Sequence, residues 1–436
     1  MESVEVNSLH VIWLLFAAAL AALWAFRFGA IGWASRHRAI LGNGSHPEPL
    51  VDAPKLSVVL AARDEEVNIE PCLRTLLDQD YADYEVVAVN DRSVDRTPEI
   101  MQELEAEVGG RLRVVTICEA REGWAGKNNA MREGVAASRG DWLLFVDADC
   151  YQTSRRTLSV AMAEARKKNL DFLTIIPTLD TPTVWERIIQ PICSWLLILW
   201  FLPDRVNDPN RKTAYANGQF ILMSRACYVA IGGHERVRHE LNEDIMLAKL
   251  AKRSGFSIRV TENQDLYRSR MYPTFGGAWR GWSRIFYGSL VTVRRIWISL
   301  VMVGLYSLFP WFATTVSAVA WALSADPSRS WWRYATGAWV IVLILQLASA
   351  WRYHGIVRTG RVWALTHPLG SAIVFGMLCS SLLKVLGLSN TNWRGTVYHK
   401  SRVGSPSKPM PPSTTVDRAH DARNALEPSA ASSAAP

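Results

Sequence analysis

The hydrophobic and polar positions of this chain divide it into a charged middle and uncharged apolar stretches on either side. Charged residues are concentrated between positions 52 and 295. Within that middle, short runs rich in Val, Ile and Leu alternate with segments of helical periodicity, whereas the outer stretches have the length of membrane helices. The pattern therefore predicts an α/β domain placed between hydrophobic helices.

The first apolar stretch covers residues 9–26 and is long enough to cross a bilayer. A cleaved signal peptide is the alternative, but the residues before the stretch are acidic and no small-residue cleavage site follows it. We therefore predict an N-terminal transmembrane anchor within residues 1–30. Because basic residues follow the anchor, its C-terminal end is predicted to face the cytoplasm.

Three more apolar stretches, at 296–323, 334–350 and 363–383, define a predicted membrane region of residues 296–390. Four complete spans that start outside would leave the C-terminus outside, although the tail is basic. The last stretch contains Pro368 and glycines, and we predict a re-entrant hairpin there that returns the tail to the cytoplasm. Residues 403–436 have low complexity and are predicted to be disordered.

Residues 184–202 form a further apolar stretch, but Glu186, Arg187 and Pro191 near its start argue against a complete span. Two structures remain open for it. One is an amphipathic helix that lies in the membrane interface, and the other is a helix buried in a core.

The charged middle alternates between strands and helices. Strands are predicted at 55–62, 84–91, 111–117 and 141–147, and each of the first three is followed by a helical pattern. The helix after the second strand is predicted to have Thr97 as its N-cap and Pro98 as its first residue. Such alternation is typical of parallel strand pairs with right-handed crossovers, so the sheet is predicted to be mostly parallel.

Acidic residues follow three of these four strands. Asp64 and Glu65 follow the first, Asp91 ends the second, and Asp147 and Asp149 follow the fourth. Because ligands of open parallel sheets bind at the carboxyl ends of the strands, these acids are predicted to surround one site. If the last strand continues, Asp147 and Asp149 leave the same face of it. Carboxylates that repel one another favour a bound cation, and oxygen ligands suit Mg²⁺ or Mn²⁺.

Composition narrows the class of partner. The formal net charge is +8 and 49% of the residues are hydrophobic. No basic stripe alternates with aromatic residues outside the apolar stretches, so we expect a membrane and no nucleic acid. The 6 cysteines show no metal-binding spacing and are predicted to be reduced thiols.

In order along residues 55–290, several segments resemble those of family 2 glycosyltransferases. They are VVLAARDEEVNI, VNDRSVDRT, GWAGKNNA, VDADC, ANGQFILMSRACYVAIGG and NEDIMLAKLAKRSG. The segment MYPTFGGAWRGWSRIFYG resembles the hopene-associated glycosyltransferases. The resemblance implies a GT-A Rossmann-like domain that binds a nucleotide-sugar, here residues 52–292, with transmembrane helices at both ends of the chain. Asn90 and Arg92 depart from the family pattern, which has Asp and Gly at these positions.

The resemblance also implies roles for individual residues. Asp244 would be the general base, with Glu243 as its support, and Asp149 would bind the metal, Mg²⁺ or Mn²⁺. The residues implied in nucleotide-sugar binding are Asp64, Glu65, Asp91, Lys127 and Asp147, and those on the side of the acceptor and diphosphate are Gly218, Gln219, Arg280, Trp282 and Arg284. Simpler interpretations stay open for three of these positions. Lys127 could be a solvated lysine at the start of a helix, and Glu243 could be an acid that stabilises a helix N-terminus. The segment around Trp282 could be an aromatic and basic belt at the membrane interface. His234 and His239 are expected in a loop rather than at a metal.

The implied function is inverting transfer of one sugar from a nucleotide-sugar, a UDP-sugar by expectation, to a lipid such as a hopanoid, another isoprenoid or a polar lipid. The implied location is the inner membrane with a cytoplasmic catalytic domain. A processive polysaccharide synthase is the first alternative, although the Q/R-x-x-R-W signature of such enzymes is missing. A transporter or scaffold is an alternative of another class, and it would require ionisable residues inside the spans. A nucleotidyltransferase would need neither the membrane segments nor Asn-Glu-Asp at 242–244.

Overall fold

The computed structural model describes residues 8–389 except 47, 49, 51, 120 and 325–327, together with 391–393 and 396–398. The strands are β1 (Ile40–Gly42), β2 (Leu56–Ala62), β3 (Tyr84–Asp91), β4 (Leu112–Ile117), β5 (Trp142–Asp147), β6 (Cys150–Gln152), β7 (Phe172–Ile176), β8 (Thr178–Leu179), β9 (Phe220–Ser224), β10 (Ile258–Gln264), β11 (Tyr267–Ser269), β12 (Thr391–Trp393) and β13 (Thr396–Tyr398). The helices are α1 (Ser8–His37), α2 (Ile69–Leu77), α3 (Thr97–Val108), α4 (Gly126–Ala137), α5 (Thr157–Lys167), α6 (Val184–Trp200), α7 (Pro203–Asn207), α8 (Arg225–Ala230), α9 (Gly233–Arg236), α10 (Glu243–Arg253), α11 (Phe275–Leu290), α12 (Val293–Val301), α13 (Phe309–Leu323), α14 (Ser328–Ile356) and α15 (His367–Val385). A π-helix, Met302–Leu308, joins α12 to α13, and short 3₁₀ helices lie at Gly109–Arg111 and Arg361–Thr366.

A sheet of eight strands in the order β1-β10-β7-β9-β5-β2-β3-β4 forms the centre of the α/β domain. Strand β9 runs antiparallel to β5 and β7, and the other pairs are parallel. The mostly parallel sheet is therefore confirmed. The continuous apolar sequences of β2, β3 and β5 arise because helices cover both faces of these strands, and nearly all their side chains are buried.

The strand register brings the predicted acidic positions to one edge. In the ladder, Ala61 of β2 lies opposite Asp147 of β5, and Ala62 lies opposite Asn90 of β3. Asp91 and Asp147 therefore end their strands at nearly the same level. A second sheet, in the order β6-β11-β8, adjoins this edge, because β6 begins three residues after β5 ends.

Two local predictions were wrong. Helix α3 begins at Thr97 itself, and Arg96 is the residue before it. The Thr97 hydroxyl instead accepts a hydrogen bond from the Glu65 N–H at 2.8 Å, which connects α3 to the acidic turn after β2. Strand β5 also ends at Asp147, and a turn follows at 148–149, so the two acids do not leave one face of a continuing strand.

Five helical regions are long and apolar enough to cross a membrane, namely Ser8–His37, Val184–Asn207, Val293–Leu323, Trp331–Ile356 and Arg361–Val385. Helices α1, α13 and α14 pack around Trp24 and Trp339, both fully buried. The indole of Trp13 donates to the Ser317 hydroxyl at 3.1 Å, and that of Trp24 donates to the Tyr306 carbonyl at 3.2 Å. The indoles of Trp13 and Trp24 therefore find acceptors on neighbouring helical segments, whereas the buried Trp339 Nε1 has no hydrogen-bond partner in the described part of the chain.

Helix α15 is one continuous helix, so the predicted re-entrant hairpin is wrong. Pro368 lies in the first turn of the helix, where backbone N–H groups make no hydrogen bond within the helix, so a proline does not interrupt it. The glycines bring neighbouring helices close instead of bending the chain. A Cβ at Gly370 would lie 2.6 Å from the Ile188 carbonyl oxygen of α6, and one at Gly376 would lie 2.7 Å from the Trp279 ring of α11. The predicted tail at 403–436 lies outside the described residues.

Helix α6 has the length of a membrane span, but the chain returns to the α/β domain at both of its ends, which argues against a complete crossing. Strand β8 ends at Leu179, shortly before the helix begins. After the helix, the Asn207 amide of α7 donates to the Val260 carbonyl of β10 at 3.0 Å and accepts from the Val260 N–H at 2.7 Å. The helix buries one side against α11 and α15, whereas Val184, Trp185 and Leu199 stay exposed. It therefore combines features of both structures that the sequence left open.

Candidate active site

Lys127, near the start of α4, lies between two of the predicted acids. Its Nζ is 2.7 Å from Asp147 Oδ1 and 2.7 Å from Glu243 Oε1. Burial lowers the pKa of Lys127, but the negative charges of Asp147, Glu243 and Asp244 outweigh it and raise the pKa above its usual value. Lys127 is therefore a charged group shared by the end of β5 and the start of α10, and not a solvated lysine at a helix start.

Asp244 lies in the first turn of α10 and faces the loop before β9. Its Oδ2 accepts a hydrogen bond from the Gly218 N–H at 2.9 Å, and its Oδ1 accepts one from the Ile245 N–H at 2.7 Å. Burial and the neighbouring Glu243 raise the pKa of Asp244 to about 7. A Cβ at Gly218 would lie 3.1 Å from Lys127 Nζ and 3.3 Å from Asp244 Oδ2, so glycine at this position permits the close approach.

Asp149 accepts a hydrogen bond from Ser269, which Gln219 holds in turn. The Ser269 hydroxyl of β11 donates to Asp149 Oδ1 at 3.4 Å, and the Gln219 amide donates to the Ser269 hydroxyl at 2.6 Å. Burial raises the pKa of Asp149 to about 7, with further contributions from Asp147 and Glu65. Gln219 thus reaches the acidic cluster through Ser269, which no motif in the sequence marks.

Asp91 is buried at the end of β3, where the next residue pairs with it. The Arg92 guanidinium donates to Asp91 Oδ1 at 2.8 Å and to Oδ2 at 3.2 Å, and the Arg92 backbone has a φ of 59°. The family glycine at this position would adopt that backbone without strain, so the arginine replaces it at a conformational cost. A Cβ at Gly126 would lie 2.6 Å from Asp91 Oδ2, so α4 also approaches Asp91 closely.

Of the two acids after β2, one lines the cavity and the other does not. Glu65 lines the same cavity as Asp91 and Lys127. The exposed Asp64 instead turns to the loop after β3, where its Oδ1 accepts a hydrogen bond from the Val94 N–H at 2.9 Å. The structure therefore does not bring Asp64 into the site, because its carboxylate stabilises the turn.

The residues of α11 that were predicted for the site also differ in whether they line the cavity. Trp282 and Arg284 line the cavity, together with Tyr272 from the segment before the helix. Arg280 is exposed and does not line it. The Arg280 side chain extends back over Gly276, where an added Cβ would lie 3.3 Å from its Nη1. The structure therefore does not place Arg280 among the residues that line this cavity.

A single large cavity of ≈ 1210 Å³ connects these groups to the apolar helices. One part is lined by the acidic strand ends, Lys127 and the start of α10. The other part, which we call the apolar arm, is lined by α1, α6 and α14 through Arg27, Ile31, Gln190, Trp195, Ile198, Tyr353 and Ile356. A cavity of this kind offers a charged end and an apolar end to its occupants.

His234 is buried at the start of α9 and not in a loop as predicted. The Tyr228 hydroxyl lies 3.1 Å from its Nδ1, and its ring packs on Phe145. Burial, with a smaller contribution from Lys127, lowers the pKa of His234 to about 3, so the ring is neutral. All 6 cysteines are free thiols.

Comparison with known proteins gives a match over the part of the chain from β2 to β9, without β1 and β10. Residues 57–228 match the sequence profile of Glycosyl transferase family 2. This match covers less than half of the chain. The matched segment contains Asp91, Lys127, Asp147, Asp149 and Gly218 and ends before Asp244.

Two relatives extend this result. The 4,4'-diaponeurosporenoate glycosyltransferase of Staphylococcus haemolyticus is 24% identical over 266 residues, which are 60% of this chain and 69% of that protein. The beta-monoglucosyldiacylglycerol synthase of Trichormus variabilis is 31% identical over 172 residues, 38% of this chain and 36% of that protein. The chain thus spans about two thirds of the first relative and about a third of the second.

A solved structure supports the GT-A fold of the α/β domain. The mannosyltransferase PcManGT from Pyrobaculum calidifontis, solved in complex with GDP-Man and Mn²⁺, superposes with a TM-score of 0.50 at 18% identity. The match covers 83% of this chain and 99% of that one. At this identity the likeness concerns the fold.

Proposed function

We propose that the protein is a membrane-bound, inverting glycosyltransferase that moves one sugar from a nucleotide-sugar, a UDP-sugar by our expectation, to a lipid acceptor. The observation that carries the proposal is the cavity, which connects the acidic edge of the sheet to the apolar faces of α1, α6 and α14. Its volume of ≈ 1210 Å³ exceeds the range of about 300–1,000 Å³ usual for one small ligand. A polar donor and an apolar acceptor would meet in it at Asp244.

The relatives support a lipid acceptor, since one is named a glycosyltransferase of 4,4'-diaponeurosporenoate and the other a synthase of the glycolipid beta-monoglucosyldiacylglycerol. A hopanoid or another isoprenoid belongs to the same proposed class. The mannosyltransferase of similar fold was solved with GDP-Man. The test below therefore compares UDP-sugars with GDP-mannose as donors.

In the proposed reaction, Asp244 takes the proton of the acceptor hydroxyl while that oxygen attacks the anomeric carbon of the donor. A pKa of about 7 suits a general base at neutral pH, and the Gly218 N–H orients its carboxylate. The Lys127 ammonium would also interact with the negatively charged donor diphosphate, and its ion pair would hold Glu243 beside the base.

The acidic residues fit a divalent cation. Asp149 is a buried carboxylate beside Asp147, and Mg²⁺ commonly takes one or two carboxylates together with substrate phosphates. Within the described part of the chain, no three His, Cys, Asp or Glu residues stand close enough to hold an ion by themselves. Asp149 would therefore hold Mg²⁺ or Mn²⁺ jointly with the donor. Such an ion, when bound, would neutralise charge on the departing diphosphate.

The test uses the full-length protein in nanodiscs, a panel of UDP-sugars and GDP-mannose, and a lipid extract. We expect nucleoside diphosphate release to require lipid. The Asp149→Asn variant should lose metal-dependent donor binding. The Asp244→Asn variant should keep donor binding, while transfer falls about a hundredfold, the scale of a lost general base.

Glu235→Gln, at an exposed acid of α9, is the matched control and should behave like the wild type. Unchanged metal dependence in Asp149→Asn would contradict the metal assignment. Products with many sugars would show a polysaccharide synthase instead.

A further inference from the structure

Three of the polar side chains that line the apolar arm, one from each of its helices, carry buried polar atoms without a hydrogen-bond partner in the part of the chain that the structure describes. They are Arg27 of α1, Gln190 of α6 and Tyr353 of α14. Arg27 Nε and Nη1, both polar atoms of the Gln190 amide, and the Tyr353 hydroxyl are buried and have no hydrogen-bond partner within the described ranges. Three separate helices thus bring unsatisfied polar atoms into one apolar space.

Aromatic rings surround the Arg27 guanidinium without satisfying all its donors. Its central carbon lies 3.8 Å from the centroid of the Trp195 ring and 4.8 Å from that of Trp24. Stacking of this kind stabilises the cation over the faces of the rings. The N–H donors lie in the plane of the guanidinium, and no carboxylate among residues the structure describes forms an ion pair with it.

A purely structural role does not account for this arrangement. A buried polar group without a hydrogen bond costs about 1–3 kcal/mol. Stacking explains Arg27 in part, but it leaves Gln190 and Tyr353 unexplained. An ionisable residue among apolar helices most often marks a binding site.

We propose that Arg27, Gln190 and Tyr353 form a subsite for an anionic oxygen group, a carboxylate or a phosphate, carried by the lipid acceptor. The planar fork of an arginine matches both groups. The Gln190 amide and the Tyr353 hydroxyl supply further donors for the remaining oxygen atoms. This subsite rests on the proposed function and adds the chemical class of the acceptor to it.

The apolar arm continues to the general base. Trp195, Leu197 and Ile198 of α6 line the path from Arg27, and Tyr215 lines its other end beside Asp244. The rings of Phe201 and Tyr215 stand 5.2 Å apart on this path. An acceptor held at Arg27 is therefore directed along an apolar wall towards Asp244. Binding of the anionic group would fix its position relative to the reacting sugar.

The subsite is tested by equilibrium binding to the full-length protein in phosphatidylcholine nanodiscs. Dodecyl phosphate, dodecanoate and dodecanol serve as probes with equal chains and different charge. We expect the wild type to bind the two anions at least about tenfold more tightly than the alcohol, the scale of a charge-assisted hydrogen bond. Arg27→Gln should abolish that preference, and Arg27→Lys should keep part of it because the charge remains.

Arg36→Gln is the matched control, because Arg36 lies on the same helix, is exposed and does not line the cavity. It should leave the preference unchanged. Equal binding of the three probes by the wild type would overturn the subsite, as would an equal loss in Arg27→Gln and Arg36→Gln. Melting temperatures of the variants separate loss of binding from loss of folding, and the Arg27→Lys result remains decisive if Arg27→Gln unfolds.

Two further measurements show whether the anion belongs to the acceptor or to a bilayer lipid, and whether a negative result contradicts the proposed function or the subsite. If phosphatidylglycerol in the nanodisc blocks the probes in the wild type but not in Arg27→Gln, a bilayer lipid fills the subsite, and the assignment to the acceptor is overturned. Absence of transfer to every lipid contradicts the proposed function while the anion preference still supports the subsite. Normal transfer without any anion preference contradicts the subsite alone.

Discussion

Replacement of Lys127 by Gln gives the most direct test of how the acidic site is held together. In the wild type, the Lys127 ammonium lies 2.7 Å from Asp147 and 2.7 Å from Glu243. Asp149 and Asp244 stand beside this pair, and burial together with like charges already raises the pKa of each to about 7. The glutamine variant keeps most of the side-chain volume and removes the positive charge from this cluster.

The size of the effect follows from exposure. The Lys127 side chain is 37% exposed, that of Asp147 is 28% exposed and that of Glu243 is 8% exposed. Breaking a fully buried ion pair costs about 3–5 kcal/mol, whereas an exposed pair contributes about 0–1 kcal/mol. Since solvent screens the lysine, we expect a loss of about 2 kcal/mol in the free energy of unfolding at pH 8.

The loss should depend on pH with a defined sign. An acid whose pKa is raised in the folded state destabilises that state as pH rises from its unfolded value, 3.8 for Asp, through its folded value. Without Lys127 the folded pKa values of Asp149 and Asp244 rise further, so the deficit of the variant should appear as pH rises through about 7, the folded pKa of the wild type. At pH 5 most of it should be absent.

Urea unfolding of the full-length protein in detergent at pH 5 and pH 8 measures this difference. Lys167→Gln, at an exposed lysine in the last turn of α5, is the matched control and should be close to the wild type at both values. A Lys127→Gln variant as stable as the wild type at pH 8 would refute the reasoning. An equal loss at both pH values would show that packing, and not charge, is the cause.

Three further predictions concern the base, the helix packing and the topology. Transfer, measured as kcat/KM, should rise with pH and level off above about 7 because Asp244 must lose its proton, and a flat profile in the wild type would contradict its role as base. Gly376→Ala should lower the melting temperature because the added Cβ would lie 2.7 Å from the Trp279 ring. Gly337→Ala is the control and should leave the melting temperature unchanged, because a Cβ there has no neighbour within 4 Å. Equal effects of the two substitutions would contradict the packing account. Cys118, an exposed thiol of the catalytic domain, should react with an impermeant thiol reagent only after cells are opened, and labelling of intact cells would place the domain outside.

Much of the sheet could be predicted because its signals are local. The strands β2, β3, β4 and β5 appear in the sequence as short apolar runs, and each begins within one residue of its predicted position or at it. Parallel pairing then places the residues after the strands at one edge, and this brings Asp91, Asp147 and Asp149 to a common site. The profile of family 2 matches the same part of the chain.

Contacts between distant segments could not be predicted, because they depend on packing. Nothing in the sequence couples Lys127 to Glu243, or Ser269 to Asp149, since more than a hundred residues separate each pair. The orientation of a side chain at the edge of an element is also set by its neighbours. Asp64 caps a turn and Arg280 lies back over Gly276, although both stand next to residues that line the cavity.

The packing of α15 bears on the topology that the sequence left unresolved. Its contacts follow α6 and α11 along its length, with Gly370 against Ile188, Gly376 against Trp279, and the Ser381 hydroxyl donating to the Ser283 carbonyl at 2.9 Å. Helix α6 returns to the α/β domain at both of its ends, and α11 begins shortly after β11 and carries Trp282 and Arg284 at the cavity.

Helix α15 also packs against α12 and the π-helix, where a Cβ at Gly304 would lie 3.4 Å from the Phe375 ring. We propose that it stays in the interface, between these helices and the pair α6 and α11. We therefore propose three spans, formed by α1, by α12 and α13 with the π-helix between them, and by α14. An odd number of spans that begins outside ends inside. The catalytic domain and the end of α15 would then share the cytoplasmic side, which agrees with the arginines after α1 and around α14 without any hairpin.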